Sequence, residues 1–207
     1  TLLELAIGVG LSSQIIDEVC ISTDSQIYAE IGKKAGANFY GLRPKHLSGD
    51  EAKTSDVVIN LLRKINENYD FIVLLQPTAP VRTPNDIDNA FEIMLSANFK
   101  ALTSVVLIDE PHPHKIKKIN KYGELMPFIS NTSSELPRQT LPKAYKLNGC
   151  IYIIETKLFL DKKTFLPKKT KPYLMNNGLN IDSENDYLFL KYLYENKKIK
   201  LHGLDKH

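Results

Sequence analysis

Short apolar runs alternate with amphipathic segments along the first half of this 207-residue chain. The segments between the runs carry apolar residues three and four positions apart, which is the spacing of one helix face. Such an alternation predicts an α/β fold of Rossmann-like type, with a mostly parallel sheet and helices on both of its faces. The predicted strands are Val19–Ser22, Asn38–Leu42, Phe71–Leu75, Thr103–Ile108 and, later in the chain, Gly149–Ile154. The predicted helices are Ser25–Lys34, Asp56–Asn66, a segment that starts near Pro84, and Asp182–Tyr194, while Leu2–Val9 has the pattern of the end of a helix.

Local signals mark where several of these elements begin and end. Asp24 is the predicted N-cap of the helix Ser25–Lys34, and Gly36 is expected to end that helix. The uninterrupted apolar run Phe71–Leu75 predicts a strand that is buried on both faces of the sheet. In sheets of this kind ligands bind beyond the carboxyl ends of the strands, so the residues that follow each strand are the candidates for a site.

The strand–helix alternation stops after Ile108. Segments Lys115–Asn120 and Glu124–Ile129 flank Lys121-Tyr122-Gly123, and this pattern predicts a β-hairpin with a glycine turn. We therefore expect a single domain over residues 1–207 that carries a small insertion at about residues 110–146.

Composition and charge exclude several classes of protein. The formal net charge is only +3 and the lysines are spread along the chain, whereas nucleic-acid-binding proteins concentrate their basic residues. No apolar run approaches the roughly 20 residues of a membrane span, and there is no secretory signal, so we expect a cytoplasmic protein that binds neither nucleic acid nor membrane. Cys20 and Cys150 form neither a disulfide framework nor a zinc site, and we expect both thiols to be buried. Walker A and G-x-S-x-G motifs are absent.

Polar residues crowd the loop that follows the apolar run Phe71–Leu75. This loop is Gln76-Pro77-Thr78-Ala79-Pro80-Val81-Arg82. Each proline fixes its φ near −65°, so the loop is stiff and can present Gln76 and Arg82 at the edge of the sheet. The same features also suit a rigid connection in which Gln76 caps the strand.

Two further polar stretches lie beside predicted elements. Residues Pro137–Gly149 bring basic, amide and aromatic side chains ahead of a core strand, and an arginine there offers a fork that fits a carboxylate; a solvated surface loop is the alternative. In the stretch Asn180-Ile181-Asp182, the aspartate can be the N-cap of the last helix. It can equally hold Mg²⁺, which takes oxygen ligands.

Taken together, these stretches resemble the bacterial CMP-N-acetylneuraminate synthetases, also called N-acylneuraminate cytidylyltransferases. The matches run in the family's order from end to end of the chain, and the segments LLQPTAPVR and RQTLPKAYKLNG are specific in combination. The matching residues are Val19–Ser25, Arg43-Pro44, Leu47, Asp50, Thr54–Asp56, Leu74–Arg82, Thr103–Val105, Arg138-Gln139, Leu141-Pro142, Tyr145, Asn148-Gly149, Ile151-Tyr152 and Ile181-Asp182.

The resemblance implies a nucleotidyltransferase that joins CMP from CTP to a nonulosonic acid such as N-acetylneuraminate, with Mg²⁺ as cofactor. It implies a homodimer in which residues 115–145 form much of the contact and reach the partner's site. It also implies a role for individual residues. Arg43, Thr54 and Ser55 correspond to the CTP site; Gln76 to a residue that meets the sugar; Lys115 and Arg138 to the binders of the sugar carboxylate; Tyr152, Phe165 and Leu166 to the wall around its N-acyl group; and Asp182 to the Mg²⁺ ligand, so that Asp182, Gln76 and Arg138 are the expected catalytic residues.

Two departures from the family pattern bear on the site. The family opens with a strand and a glycine-rich, basic loop that cradles the triphosphate, and no such segment occurs in residues 1–207. The family usually has two aspartates around one apolar residue, where this chain has Asn180 and Asp182. Two alternatives stay open: a CMP synthetase for a legionaminic, pseudaminic or Kdo-type sugar acid, and an inactive homologue that binds nucleotide or sugar.

Overall fold

The computed structural model describes residues 1–65, 67–108, 110–130, 135–176 and 178–203. Within these ranges the chain forms an α/β arrangement whose order follows the predicted alternation of strands and helices. The helices are α1 (Leu2–Leu11), α2 (Gln26–Lys34), α3 (Thr54–Leu62), α4 (Pro84–Ser96), α5 (Thr156–Lys162) and α6 (Glu184–Glu195). The strands are β1 (Cys20–Ile21), β2 (Asn38–Phe39), β3 (Phe71–Leu74), β4 (Ala101–Ile108), β5 (Lys117–Ile119), β6 (Leu125–Pro127), β7 (Ala144–Glu155) and β8 (Lys171–Leu174).

The main sheet has the strand order β3-β7-β4-β8. Strand β7 runs antiparallel to both of its neighbours, while β4 and β8 are parallel. The predicted α/β fold is therefore confirmed, with a mixed sheet. Strand β7 is longer than the predicted Gly149–Ile154, because residues 144–147 of the expected polar loop pair with the last residues of β4. That pairing forms where the chain returns from the predicted hairpin, which is confirmed as β5 and β6 with Gly123 at a φ of 81°.

The structure locates several of the predicted helix ends. Helix α1 covers the predicted Leu2–Val9 and continues to Leu11. Ser25, not Asp24, is the N-cap of α2, because its backbone is extended and its hydroxyl accepts from the Tyr28 N–H. The predicted last residue of the third helix, Asn66, lies outside the described residues. Pro84 begins α4 as predicted, behind a capping box on Thr83.

A groove with a volume of about 440 Å³ separates β1 from β3, and both strands line it. Strand β1 pairs with β2, and β3 pairs with β7; within the described ranges neither has a second partner strand. All four residues of β3 are consequently only half-buried. The prediction of a strand buried on both faces was therefore wrong for β3, because the groove leaves one of its edges and part of its apolar surface uncovered.

Glu18 ties the two sides of the groove together at the amino ends of the strands. Its carboxylate accepts hydrogen bonds from the Tyr69 hydroxyl, from the Tyr40 hydroxyl at 2.6 Å and from the Asn38 amide at 2.6 Å. Burial opposes ionisation of Glu18, but these hydrogen bonds outweigh it and lower its pKa to about 2. The same cluster raises the pKa of the neighbouring Cys20 thiol to about 12, mainly through burial. Cys150 is fully buried as expected, whereas Cys20 is only partly buried.

Candidate active site

A wide bulge in β7 shapes the centre of the candidate site. The β4–β7 ladder pairs Thr103 with Tyr152 and then Val105 with Leu147, so the four residues 148–151 lie opposite Ser104 alone. The Ser104 hydroxyl takes over the missing ladder contacts, because it accepts from the Ile151 N–H at 2.8 Å and donates to the Asn148 side-chain oxygen at 2.5 Å. A bulge of this kind bends the strand and re-aims its residues. Here it turns the backbone at Gly149 out of the ladder.

Gly149 is the point where the predicted polar stretches meet. Its φ is 73°, in the left-handed region that glycine adopts without steric cost. A methyl group at its Cα would lie 2.4 Å from the Gln76 side-chain oxygen and 3.6 Å from the Asn180 side-chain oxygen. Both oxygens therefore lie beside the same backbone position, and only a residue without a side chain leaves room for Gln76 there.

The loop after β3 reaches this point through a buried arginine. Arg82 is 2% exposed, and its Nη1 donates to the carbonyl oxygens of Gln76, Ala79 and Cys150 at 2.8, 2.9 and 3.1 Å. The expectation that Arg82 is presented at the sheet edge was therefore wrong. The guanidinium turns inward because the carbonyls before Pro77 and Pro80 lie inside the loop and need a donor. Gln76 itself remains partly exposed and lines the groove.

The stretch 180–182 is attached to the same loop. The Ile181 N–H donates to the Thr78 carbonyl at 2.8 Å, and the Asn180 amide donates to both carboxylate oxygens of Asp182 at 2.7 Å. Asp182 is not the N-cap of α6, because the Ser183 hydroxyl accepts from the Asp186 N–H and fills that role. The N-cap alternative for Asp182 is therefore removed, and its exposed carboxylate is left beside Asn180.

The oxygen atoms present here fit a hard divalent cation. The Asn180 side-chain oxygen is buried and has no hydrogen-bond partner among the described residues, and the Asp182 carboxylate lies against the nitrogen of the same amide. Mg²⁺ needs few protein ligands because it keeps several waters and takes substrate phosphate oxygens. No three His, Cys, Asp or Glu side chains within the described ranges are grouped so as to hold a metal by themselves.

The residues expected at the CTP site lie near the mouth of the groove. Arg43, Thr54 and Gln76 all line it, so the structure brings these three predicted residues together around one opening. The Arg43 Nη2 lies 3.4 Å from the Asp24 carboxylate, and its buried Nε has no hydrogen-bond partner in the described part of the chain. Ser55 follows Thr54 in the first turn of α3 but is not one of the groove-lining residues.

Lys115 and Arg138 lie on the insertion, as expected. The Lys115 ammonium donates to the Leu136 carbonyl at 3.0 Å, and the Arg138 guanidinium lies 3.3 Å from the Glu110 carboxylate. Both side chains therefore contact other residues of the insertion. Residues 131–134 of the insertion lie outside the described residues.

The three residues expected to surround an N-acyl group differ in exposure. Phe165 is buried and packs against Phe159, with ring centroids 4.7 Å apart, and against Tyr152 at 6.0 Å. Leu166 is exposed. Tyr152 is partly buried, and burial raises its pKa above the ordinary value for tyrosine. Phe165 thus supports Tyr152 from inside the core, while Tyr152 and Leu166 keep surface that a ligand could reach.

The sequence left two site features unassigned. Gly149 was recognised only as part of a motif, although an Asn-Gly pair directly before a core strand signals a backbone position with positive φ. The role of Ser104 had no local signal, because it depends on the number of residues that β7 places opposite it.

Comparison with known proteins identifies the family of the chain. A family model described as Cytidylyltransferase matches residues 1–198. The chain belongs to the cytidylyltransferase family. The expected enzyme class, a nucleotidyltransferase, is therefore confirmed, and so is the resemblance on which the site residues were assigned. The individual site residues remain predictions.

Relatives and solved structures add detail. The chain is 33% identical over 191 residues to a CMP-N,N'-diacetyllegionaminic acid synthase from Legionella pneumophila, covering 89% of this chain and 81% of that protein. It is 29% identical over 189 residues to an N-acylneuraminate cytidylyltransferase from Escherichia coli, covering 90% of this chain but only 44% of that longer protein. A structure of a CMP:2-keto-3-deoxy-manno-octonic acid synthetase complexed with CTP superposes with a TM-score of 0.67 at 14% identity, over 95% of this chain and 88% of that one. That likeness supports the fold.

None of the helices in the described ranges combines the length and apolar character needed to cross a membrane.

Proposed function

We propose that this protein transfers CMP from CTP to a nonulosonic acid of the sialic acid type and releases pyrophosphate. The observation that carries the proposal is the meeting of Gln76 and Asn180 at Gly149, with Asp182 hydrogen-bonded to Asn180, beside a groove that Arg43 and Thr54 also line. The polar side chains of Arg43, Thr54 and Gln76 offer a place for a nucleotide, and the oxygens of Asn180 and Asp182 offer a place for a cation on its phosphates. The family and the named relatives support the same activity.

Little covalent chemistry by the protein is needed for this reaction. The anomeric hydroxyl of the sugar attacks the α-phosphorus of CTP, the bond to the β-phosphate oxygen breaks, and pyrophosphate leaves. Positioning of the two substrates and neutralisation of charge supply most of the acceleration in such transfers. Arg43 and Thr54 bind the nucleotide, and Gln76 orients the sugar against it. Asp182, with the Asn180 oxygen, would hold Mg²⁺, whose charge offsets that of the phosphates.

The groove between β1 and β3 supports a further part of the proposal. Within the described ranges neither β1 nor β3 has a partner strand on this side, and the lining of the groove is largely apolar, as at Ile7, Val57 and Val73. We propose that the opening strand of the family occupies this groove, parallel to both strands, and that the basic loop following it holds the triphosphate. Backbone N–H groups at such a loop bind phosphate well.

The insertion supports the proposal of a homodimer. Large apolar side chains of the hairpin and of the strand that follows it are exposed, among them Ile119, Tyr122, Leu125, Phe128 and Tyr145. An apolar surface of this density on a short hairpin is typical of an interface. In such a dimer Lys115 and Arg138 would bind the carboxylate of the sugar at the site of one or the other protomer. Because CTP is a cytoplasmic nucleotide, we place the reaction in the cytoplasm.

The test uses the natural protein that contains residues 1–207. It is mixed with CTP, Mg²⁺ and, one at a time, N-acetylneuraminate, a legionaminate, a pseudaminate and Kdo, and pyrophosphate release is followed. Release that requires one of these acids supports the proposal and names the substrate. No release with any acid, from protein that binds CTP, would refute catalysis and favour an inactive nucleotide-binding homologue.

A legionaminic acid is the second candidate substrate. The legionaminate-specific relative from Legionella pneumophila shares 33% identity with this chain, against 29% for the N-acylneuraminate enzyme from Escherichia coli. The two sugars share the carboxylate and the anomeric hydroxyl, so the residues proposed above serve either one. In the panel, a higher kcat/KM for the legionaminate than for N-acetylneuraminate would move the assignment to it.

A further inference from the structure

The buried guanidinium of Arg82 has an unusual set of partners. A buried arginine ordinarily pairs with a carboxylate, because an unpaired buried charge is costly. Within the described ranges Arg82 forms no salt bridge; its Nη1 instead donates to three backbone carbonyls, and its Nε and Nη2 are buried without a hydrogen-bond partner. Burial lowers the pKa of Arg82 to about 10, so the side chain is still protonated near neutral pH. The fold retains a costly cation here.

The three carbonyls explain what this cation does. Two of them, from Gln76 and Ala79, precede Pro77 and Pro80. Proline nitrogens carry no hydrogen, so this loop has more acceptors than backbone donors to satisfy them. The third carbonyl, from Cys150, belongs to the bulge of β7. One nitrogen with two hydrogens therefore joins three acceptors from two separate segments, and at least one hydrogen is shared.

These contacts connect Arg82 to the candidate site. Gln76 has its carbonyl held by Arg82 and its side-chain oxygen beside Gly149, the neighbour of Cys150. The Arg82 Nη1 thus holds the backbone at both ends of the Gln76 side chain: the Gln76 carbonyl itself and the Cys150 carbonyl, next to Gly149. We propose that Arg82 is a positioning residue that sets Gln76 against the β7 bulge, so that Gln76 meets the sugar acid in the correct place.

This inference rests on the proposed function for its catalytic consequence, but its structural part can be tested without activity. The variants are Arg82→Met, which keeps the length of the side chain and removes all donors, and Arg82→Lys, which keeps the charge and some of the bonds. The matched control is Ile154→Ala, a fully buried residue opposite Ile72 in the β3–β7 ladder that lies away from the loop. It lowers thermal stability without removing a hydrogen bond from residues 76–82.

The kinetic readout separates positioning from folding. In folded Arg82→Met, kcat/KM for the sugar acid should fall by about 100-fold, the effect of a misplacement near 1 Å. The KM for CTP should change by less than about threefold, because Gln76 is assigned to the sugar, and Arg82→Lys should recover part of the loss. Ile154→Ala should lose stability while keeping kcat/KM. A kcat/KM of Arg82→Met equal to that of Ile154→Ala would overturn the inference.

Hydrogen exchange supplies the readout that does not need catalysis. In the loop the Ala79 N–H donates to the Gln76 carbonyl at 3.2 Å and the Arg82 N–H to the Pro80 carbonyl at 3.0 Å. Exchange of a peptide spanning residues 76–82 should accelerate more in Arg82→Met than in Ile154→Ala at equal overall stability. Equal exchange in the two variants would refute the role of Arg82 in holding the loop, even if the natural protein were inactive. Faster exchange in Arg82→Met, from a natural protein that is inactive, would uphold that role and reject the proposed function.

Discussion

A single methyl group at Gly149 should disable the site while costing the fold little. In Gly149→Ala the new Cβ would lie 2.4 Å from the Gln76 side-chain oxygen, which is too close for any real contact. That oxygen is the far end of a flexible side chain, so Gln76 can swing away without moving the backbone. The remaining cost to stability is the left-handed backbone at a φ of 73°, roughly 1–2 kcal/mol for a residue with a Cβ.

Gly123→Ala provides a matched control for the backbone term. Gly123 has a φ of 81° in the hairpin turn, and a methyl group there would meet nothing within 4 Å. Both variants should therefore lose a similar roughly 1–2 kcal/mol in the free energy of unfolding, measured by urea denaturation. Only Gly149→Ala displaces Gln76, and misplacement of a positioned group by about 1 Å costs about 100-fold in rate. Its kcat/KM for the sugar acid should fall by that order.

A double-mutant cycle tells whether the loss runs through Gln76. In a Gln76→Ala background the methyl group has nothing to displace, so Gly149→Ala should add little to the loss of kcat/KM, and the two effects should be far from additive. The reasoning is refuted if Gly149→Ala keeps the kcat/KM of Gly123→Ala, or if its effect is additive with that of Gln76→Ala.

Three further predictions concern the proposed metal ligands, the Glu18 hydrogen bonds and the insertion. Asp182→Ala should abolish turnover at limiting Mg²⁺, while Asn180→Asp, which adds a charged ligand, should lower the Mg²⁺ concentration for half-maximal rate; Mg²⁺ titrations of the rate check both, and unchanged titration curves would exclude this site for the metal. Glu18 has its pKa lowered from 4.5 to about 2, so it stabilises the fold above pH 4.5 and loses that contribution as pH falls towards 2. The free energy of unfolding of Glu18→Gln, from thermal melts, should therefore be lower than that of the parent protein by about 1.5–3 kcal/mol near neutral pH, and the two values should converge in acid. A difference that does not change with pH would contradict this. Phe128→Glu should shift a dimer towards monomer in light scattering, whereas Tyr28→Glu, also on an exposed aromatic but outside the insertion, should not.

Periodicity located most of the strands and helices, but it could not order the strands. The apolar runs at β3, β4 and β7 carry the same local signal, and nothing in them states that β7 enters between the other two in the opposite direction. That placement follows from the hairpin, which returns the chain to β4, and from residues 144–147, whose partners are the last four residues of β4. Because the bulge opposite Ser104 depends on this register, the role of Ser104 was also beyond local analysis, whereas the Asn148-Gly149 pair is a local signal for the turn itself.

Arg82 shows how a site residue can be found and yet given the wrong environment. An arginine two residues after a proline in a polar loop is ordinarily solvated, and this is what the sequence predicts. The structure buries it because the carbonyls that precede Pro77 and Pro80 lie in a loop whose two prolines carry no N–H, so that acceptors outnumber backbone donors. This excess is visible in the sequence once the donors and acceptors of the loop are counted. Such a count would have predicted a buried Arg82 side chain that binds loop carbonyls. It would also have separated the role of Arg82 from that of Gln76.

Strand β3 is the opposite case, since it is less buried than its sequence predicts. Four consecutive apolar residues, Phe71–Leu74, are suited to burial on both faces, and the structure instead leaves all four partly accessible along the groove. An uncovered apolar groove between two unpaired strand edges is a surface that would pair with other chains if nothing filled it. The apolar sequence of β3 therefore suits a strand that has a second neighbouring strand in addition to β7. The disagreement between sequence and structure at β3 thus supports the proposed additional strand in the groove, which would complete both the sheet and the phosphate end of the site.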